Sequence, residues 1–381
     1  LAVGVLSCGN PRNPAAGTVV TTVDTSGAFI TVTNSGDPPR FRLDHIMTVG
    51  SEGDGEAAVR RPSSVVSDGE GGIYIADPGT YGIVVFDGSG DFVRRIGGQG
   101  RGPTEFQDLN SLAWLGNTLA ALDPGNSRIT LFGRSGAWLG SWAVPPLTGP
   151  DVRLFPLDSA SFVSPFLAPG SLSLVPAGVR YTSAGARDTL PVRLPPFPDE
   201  RVYCRGGDGR VVVLTPPFAT TVIQGWVAPG WSLAAQTGQY RILLSSPTSD
   251  TAVSIRREIN PVPITDSEWE SALEGWKDRR ELLGVGNCGT MTNRRPEARP
   301  LFRSVATDDF GWLWVERAIA NGFEFDVYSP DGDLVASVEA PERDPDIPVF
   351  VRGDRLYAAQ SDRGGFVVSA FEIEGFGAIR R

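Results

Sequence analysis

The feature that most constrains this chain is that it repeats itself. Residues 65–77 followed by 83–96 are answered by residues 112–123 followed by 129–139. In both copies an Asp stands nine positions before an aromatic residue, as Asp77 before Phe86 and Asp123 before Phe132. A Gly follows the aromatic by four positions (Gly90, Gly136), and an aliphatic residue by seven (Val93, Leu139). A third copy runs through 305–315 and 327–335; there Tyr328, Gly332 and Val335 keep the offsets, and Ile319 replaces the Asp. Weaker copies lie at 161–163 with 179–185, at 226–234 with 240–244, and at 356–360 with 366–371, which makes six. Phe86 and Phe132 are 46 residues apart. Short β-rich runs at that period, closed by Asp-Gly and Ser-Gly turns, are the sequence pattern of propeller blades. The expected fold is therefore all-β, a six-bladed β-propeller over 18–381, with 1–17 as an N-terminal segment and linker. Residues 18–23 are expected to add a strand to the last blade and close the ring, which removes exposed strand edges.

One stretch departs from this pattern. From Asp266 to Leu283 the spacing is helical, with Trp269, Leu273 and Trp276 on one face and Thr265 or Asp266 placed to cap the start. This predicts a helical insertion at about 260–298, between blades 4 and 5. Trp269 and Trp276 become candidate partner-binding residues, since large aromatics dominate interface energetics. Packing of the helix against the ring is the competing reading.

Composition narrows the chemistry. With 46 glycines and 31 prolines, long helices are nearly excluded. No apolar run is long enough to span a bilayer as a helix. The formal charge of −10 argues against nucleic acid, whose phosphates need a basic face. Arg294, Arg295 and Arg299 form the best basic cluster and read as a solvated loop. A single histidine, His45, leaves no His-based metal site and makes a Ser-His-Asp triad depend on that one residue. It sits in an alternating, strand-like stretch and reads as structural.

Three cysteines occur. Residues 1–7 are a short apolar run before Cys8, which resembles the end of a bacterial lipoprotein signal peptide with Val5-Leu6-Ser7-Cys8 as its lipobox. That resemblance implies a lipidated Cys8; an ordinary residue is the alternative. Cys204 and Cys288 remain as a pair, either bridged across about eighty residues or two buried thiols. Both are read in irregular Gly-containing stretches, which favours the bridge.

The stretch Arg94-Arg95-Ile96-Gly97-Gly98-Gln99-Gly100-Arg101-Gly102-Pro103-Thr104-Glu105-Phe106 resembles the NHL-type signature that links one propeller blade to the next. The chain as a whole resembles the bacterial six-bladed β-propeller lipoproteins related to NHL proteins, well over 61–142 and 300–340 and loosely between them. The resemblance implies that these glycines serve inter-blade turns. No Lys-Ser/Thr or helix start follows them, so they are no phosphate cradle. Related enzymes hold a metal in the central channel, and the residues left for one here are acidic. Glu52, Asp54 and Glu56 alternate with glycines and read as an exposed turn before a calcium site. Asp77-Pro78 and Asp123-Pro124 recur in two blades and read as turn-capping pairs.

No set of nucleophile, base and oxyanion donors can be assembled, so no catalytic residue, metal or cofactor is assigned. The expected function is a non-catalytic exported propeller at the outer face of a bacterial membrane. It would act as a protein-binding scaffold, an accessory subunit of a respiratory or photosynthetic complex being the concrete version. It would be held there by an N-terminal lipid or the short apolar segment. The alternatives are a lactonase-type enzyme with a divalent ion in the channel and a small-molecule-binding propeller.

Overall fold

The computed structural model describes residues 17–379 apart from 51, 145–152, 159, 167–176, 183–186, 191–199, 208, 210, 229, 247, 289–294, 309, 345–346 and 363–364. Cys8 and Arg294 lie outside the described residues.

Six sheets, antiparallel but for two N-terminal strands added in parallel to blades 4 and 5, succeed one another along the chain. Blade 1 is built from Ser64–Ser67, Ile73–Asp77, Gly82–Phe86 and Phe92–Gly97. Blade 2 runs from Ser111–Leu115 to Trp138–Ala143, and blade 3 from Phe155–Asp158 to Arg187–Leu190. Blades 4 and 5 begin with Val222–Val227 and Phe302–Thr307, and blade 6 begins with Phe350–Arg352. Each blade's first strand neighbours that of the next, and Phe350–Arg352 returns to Ser64–Ser67, so the ring is closed. The six sequence copies fall on these six blades.

The burial pattern follows from that stacking. A middle strand such as Ile73–Asp77 or Gly82–Phe86 is buried at every position, because both of its faces meet neighbouring blades. The outermost strand Phe92–Gly97 is less covered, with Val93 and Gly97 exposed. The core is accordingly divided among the six blade interfaces. Val65, Ile75, Phe86, Tyr357 and Val368 pack between blades 6 and 1, and Trp314, Phe325, Val351 and Leu356 between blades 5 and 6. Between blades 3 and 4, the described buried members are Leu157, Val163 and Trp226. Gly178 makes this packing possible: a Cβ there would lie 2.4 Å from Val163 Cγ2 and 2.5 Å from Trp226 Cζ2.

The closing strand is not the one expected. Leu43–Val49 supplies the outer strand of blade 6, antiparallel to Gly365–Ile373, with Val49 opposite Val368 and Leu43 opposite Ile373. Val19–Asp24 instead forms a hairpin with Ile30–Gly36, which lies parallel to Ala252–Arg257 and widens blade 4 to six strands. The reason is visible at Asn34, which is fully buried. Its Oδ1 accepts from Leu334 N at 2.9 Å, and its Nδ2 donates to Gly332 O at 3.0 Å. These bonds hold the hairpin against the turn of blade 5, and the chain then crosses that blade through Arg40–Phe41 before reaching blade 6.

The NHL-like stretch is an inter-blade turn. Gly97 has φ +96°, and a Cβ on it would meet the buried Phe106 ring at 2.4 Å. Phe106 N donates to Gly98 O at 2.7 Å, and Glu105 Oε2 accepts from Gly102 N at 2.7 Å. The link therefore folds back on itself and plugs Phe106 between blades 1 and 2.

Replacing Asn34 by Ala removes both halves of that staple and leaves buried backbone groups without partners. A loss of about 2–3 kcal/mol is expected, read as a lower urea midpoint. A loss below about 0.5 kcal/mol would show that the hairpin is held by its strands alone.

Candidate functional site

A four-stranded antiparallel blade enters and leaves on the same face of the ring. Every blade-to-blade connection therefore lies on one side, here termed the joining face. Two long connections stand there, between blades 3 and 4 and between blades 4 and 5. They build a second, smaller module. Val202–Gly206 and Val211–Leu214 form a hairpin, and Val285–Asn287 adds a third strand to it. Cys204, placed by the sequence in an irregular stretch, is in the hairpin's first strand. It is disulfide-bonded to Cys288, 84 residues on, which ties the two connections together.

Helix Asp266–Leu282 completes the module. It is started by a capping box: Thr265 Oγ1 accepts from Glu268 N at 3.3 Å, and Glu268 Oε2 accepts from Thr265 N at 2.9 Å. These bonds from Thr265, with Arg299 beside it, hold the Glu268 carboxyl below the usual range. Arg295 pairs with Asp266, and Arg299 with Glu268, so these arginines brace the helix rather than form a basic patch. Trp276 is 7% exposed, with the Arg280 guanidinium 4.6 Å from its ring centroid. Trp269 is half-buried and stacks on Phe218, ring centroids 6.4 Å apart. The structure thus places both tryptophans in packing roles, Trp276 fully so, because their face of the helix turns inward.

The hairpin has one buried apolar face and an outward face that is apolar apart from Arg205, which stands opposite Val211. Cys204 and Leu214 are buried with Val285 and Cys288, and Val202 and Val212 pack against them. The alternate residues point the other way, and Tyr203, Val211 and Val213 are 51%, 49% and 43% exposed. Tyr203 and Val213 are cross-strand partners, so the outward side chains form one patch.

The hairpin's base opens onto the ring's axis. Arg201 and Thr215, which flank the hairpin, line a cavity of about 250 Å³ together with Arg153, Gln224, Arg303 and Thr307. A narrower section continues past Phe155, Val305 and Arg352, and a third cavity reaches Trp114, Asp158 and Phe310 on the opposite face. No carboxylate occurs among the described residues lining the first two sections.

Glu316 lies behind this wall. Its Oε1 accepts from Arg303 Nη2 at 2.7 Å, and its Oε2 from Arg343 Nη2 at 2.5 Å and Ser304 Oγ at 2.8 Å. Burial raises its carboxyl pKa, and the two guanidinium groups more than offset this, so the net direction is downward. Two cations thus share one buried anion. Arg303 is further fixed by the Phe323 ring, whose centroid is 3.5 Å from its Cζ.

The remaining candidates lie away from the axis. His45 is exposed on the closing strand, its Nε2 2.8 Å from Thr48 Oγ1 and its ring edge-on to Phe371. Asp77 is buried, and its carboxylate accepts from the backbone N–H groups of Arg60, Arg61 and Gly79 and from Thr80 Oγ1. Asp123 repeats this with Gln107, Asp108 and Asn126. Both carboxylates clasp the link that enters their own blade. Residues Glu52–Ala57 form a short 3₁₀ turn, and the side chains of Glu52 and Asp54 lie outside the described residues. Among the described residues no three His, Cys, Asp or Glu converge as metal ligands, and no helix is long and apolar enough to cross a membrane.

Comparison with known proteins agrees with this architecture. Residues 56–152 match a family described as a 6-bladed beta-propeller. A protein of Bacteroides fragilis described as exported superposes with a TM-score of 0.50 at 13% identity, covering 88% of this chain and 95% of the other. A member of another domain family, from Bacteroides vulgatus, superposes with a TM-score of 0.52 at 12% identity, covering 88% and 99%. No curated protein sequence matches the chain. The protein is a six-bladed β-propeller, and at these identities the likeness extends to the fold alone.

The disulfide closes a long loop around the small module, so its removal is expected to cost about 2–4 kcal/mol. In a Cys204→Ser, Cys288→Ser double variant, limited proteolysis is expected to cut within 200–215 or 283–300 first and leave the blades intact. First cuts inside the blades would contradict the division into ring and module.

Proposed function

We propose that this chain is an exported, non-catalytic propeller that docks another protein through the disulfide-tied module on its joining face. The observation that carries this reading is the outward patch of Tyr203, Val211 and Val213. A sheet whose inner face is already filled gains nothing in the free protein from apolar residues on its outer face. Tyr is moreover a residue type favoured at interface centres. The disulfide supports an oxidising compartment. The similarity to a Bacteroides protein described as exported points the same way. The outer face of a bacterial membrane is the proposed site of action, with Cys8 or the apolar run before it as the tether and a membrane complex as the partner.

The channel bears on the alternatives. A lactonase-type divalent ion needs converging oxygen anions, and the described lining offers arginines instead. The described lining therefore gives no support to the divalent-ion alternative.

Isolation from native membranes in mild detergent tests the proposal. The wild-type chain is expected to sediment in stoichiometric amount with a membrane complex. A Tyr203→Ser, Val213→Thr variant with unchanged melting temperature is expected to sediment alone. A wild-type chain that runs alone, or a variant that stays bound, would overturn it.

A further inference from the structure

At its joining-face end, the described lining of the central channel is cationic, opposite in sign to the molecule. The chain carries a formal charge of −10, yet the cavity at its joining-face end is lined by Arg153, Arg201 and Arg303 with no described carboxylate among them. Three separate links or strands deliver these arginines: Arg153 precedes blade 3, Arg201 precedes the hairpin, and Arg303 lies on the first strand of blade 5. Each is partly buried, so its charge acts through a low-dielectric wall rather than through bulk water.

The arginines have structural partners, and the inference does not need them to be vacant. A guanidinium carries five N–H donors in a planar fork, more than one partner can use. Arg303 shows this directly. It gives one Nη2 bond to Glu316, its face rests on Phe323, and its buried Nε has no hydrogen-bond partner. Glu316 cannot neutralise it fully, because Arg343 draws on the same carboxylate. Thr215, Gln224 and Thr307 add neutral polar groups around the same space.

The geometry points to a binding site for a small oxyanion, a carboxylate or phosphate compound, at the joining-face end of the channel. Planar guanidinium forks converging on one cavity are the arrangement that recognises carboxylate and phosphate oxygens. A volume of about 250 Å³ restricts the ligand to a compact molecule. The site adjoins the docking module through Arg201 and Thr215, but it rests on different observations and stands whether or not a protein partner exists.

Titration calorimetry of the full chain tests it, with inorganic phosphate and succinate as probes and 1,4-butanediol as the uncharged control. At low ionic strength one or both anions are expected to bind with a Kd of about 1 mM or tighter, and the diol not at all. Which anion binds separates a phosphate ligand from a carboxylate one. Arg303→Gln, which keeps a donor for Glu316, and Arg201→Gln, at the cavity rim, are each expected to weaken binding about tenfold or more. Melting curves confirm that each variant is folded, and either folded variant suffices for the comparison. Absence of binding by both anions to the wild-type chain, or equal affinity in a folded variant, would overturn the proposal.

Discussion

The whole molecule depends on one strand pairing, that of Leu43–Val49 with Gly365–Ile373. A propeller blade has no core of its own; its apolar residues are shared with the blades on either side, as the six interface clusters show. Such an array is stable only if its two ends meet. The closing ladder brings together residues more than 300 positions apart, at an entropic cost that rises only slowly with loop length. In return it covers the outer edge of blade 6 and holds the cluster of Val49, Tyr357 and Val368 against blade 1. Before reaching that position the N-terminal segment is pinned to blades 4 and 5, with Asn34 as the fixing point.

Closure has a consequence for function. Because each blade starts and finishes on the same side, all extra chain between blades accumulates on the joining face. The hairpin Val202–Leu214, the helix Asp266–Leu282 and the Cys204–Cys288 bond are there for that reason, and Arg201 and Thr215, which flank the hairpin, line the channel mouth. The opposite face carries short turns closed by side chains: Asp68 accepts from Glu70 and Gly72, and Asp308 from Phe310 and Trp312. The asymmetry places the elaborated connections on one face, while the other carries compact turns around the third cavity. The small module offers an apolar patch and the channel beside it offers cationic donors, two chemistries that an acidic surface alone would not supply.

Much of the ring could be read from sequence because blade signals are local. The aromatic at the end of a third strand, the Gly of the following turn and the Asp that clasps the entering link fall within about twenty residues, and they recur. Asp77 and Asp123 were legible as turn requirements because an Asp bonds nearby backbone whatever fold surrounds it. The closing strand was not legible in this way. Residues 18–23 and 43–49 are both short and β-prone, and contacts distant in sequence, the pairing of Ile30–Gly36 with Ala252–Arg257 and the buried bonds of Asn34, decide which one reaches blade 6. The small module was missed for a related reason. Cys204 stands in Val202–Gly206, whose third partner strand is some eighty residues distant. Glycines at 206, 207 and 209 disguise the hairpin as an irregular loop. The channel arginines carry no sequence pattern, since Arg153, Arg201 and Arg303 are set in unrelated segments and meet only when the ring closes.

Native-state hydrogen exchange tests closure most directly. If the ring depends on the pairing of Leu43–Val49 with Gly365–Ile373, the bonded amides of both strands will exchange only through global unfolding, at the same free energy as the buried strands Ile73–Asp77 and Gly82–Phe86. Exchange of the Leu43–Val49 amides through local opening, well before those of blade 1, would show a ring that holds without its closing strand and would contradict this account.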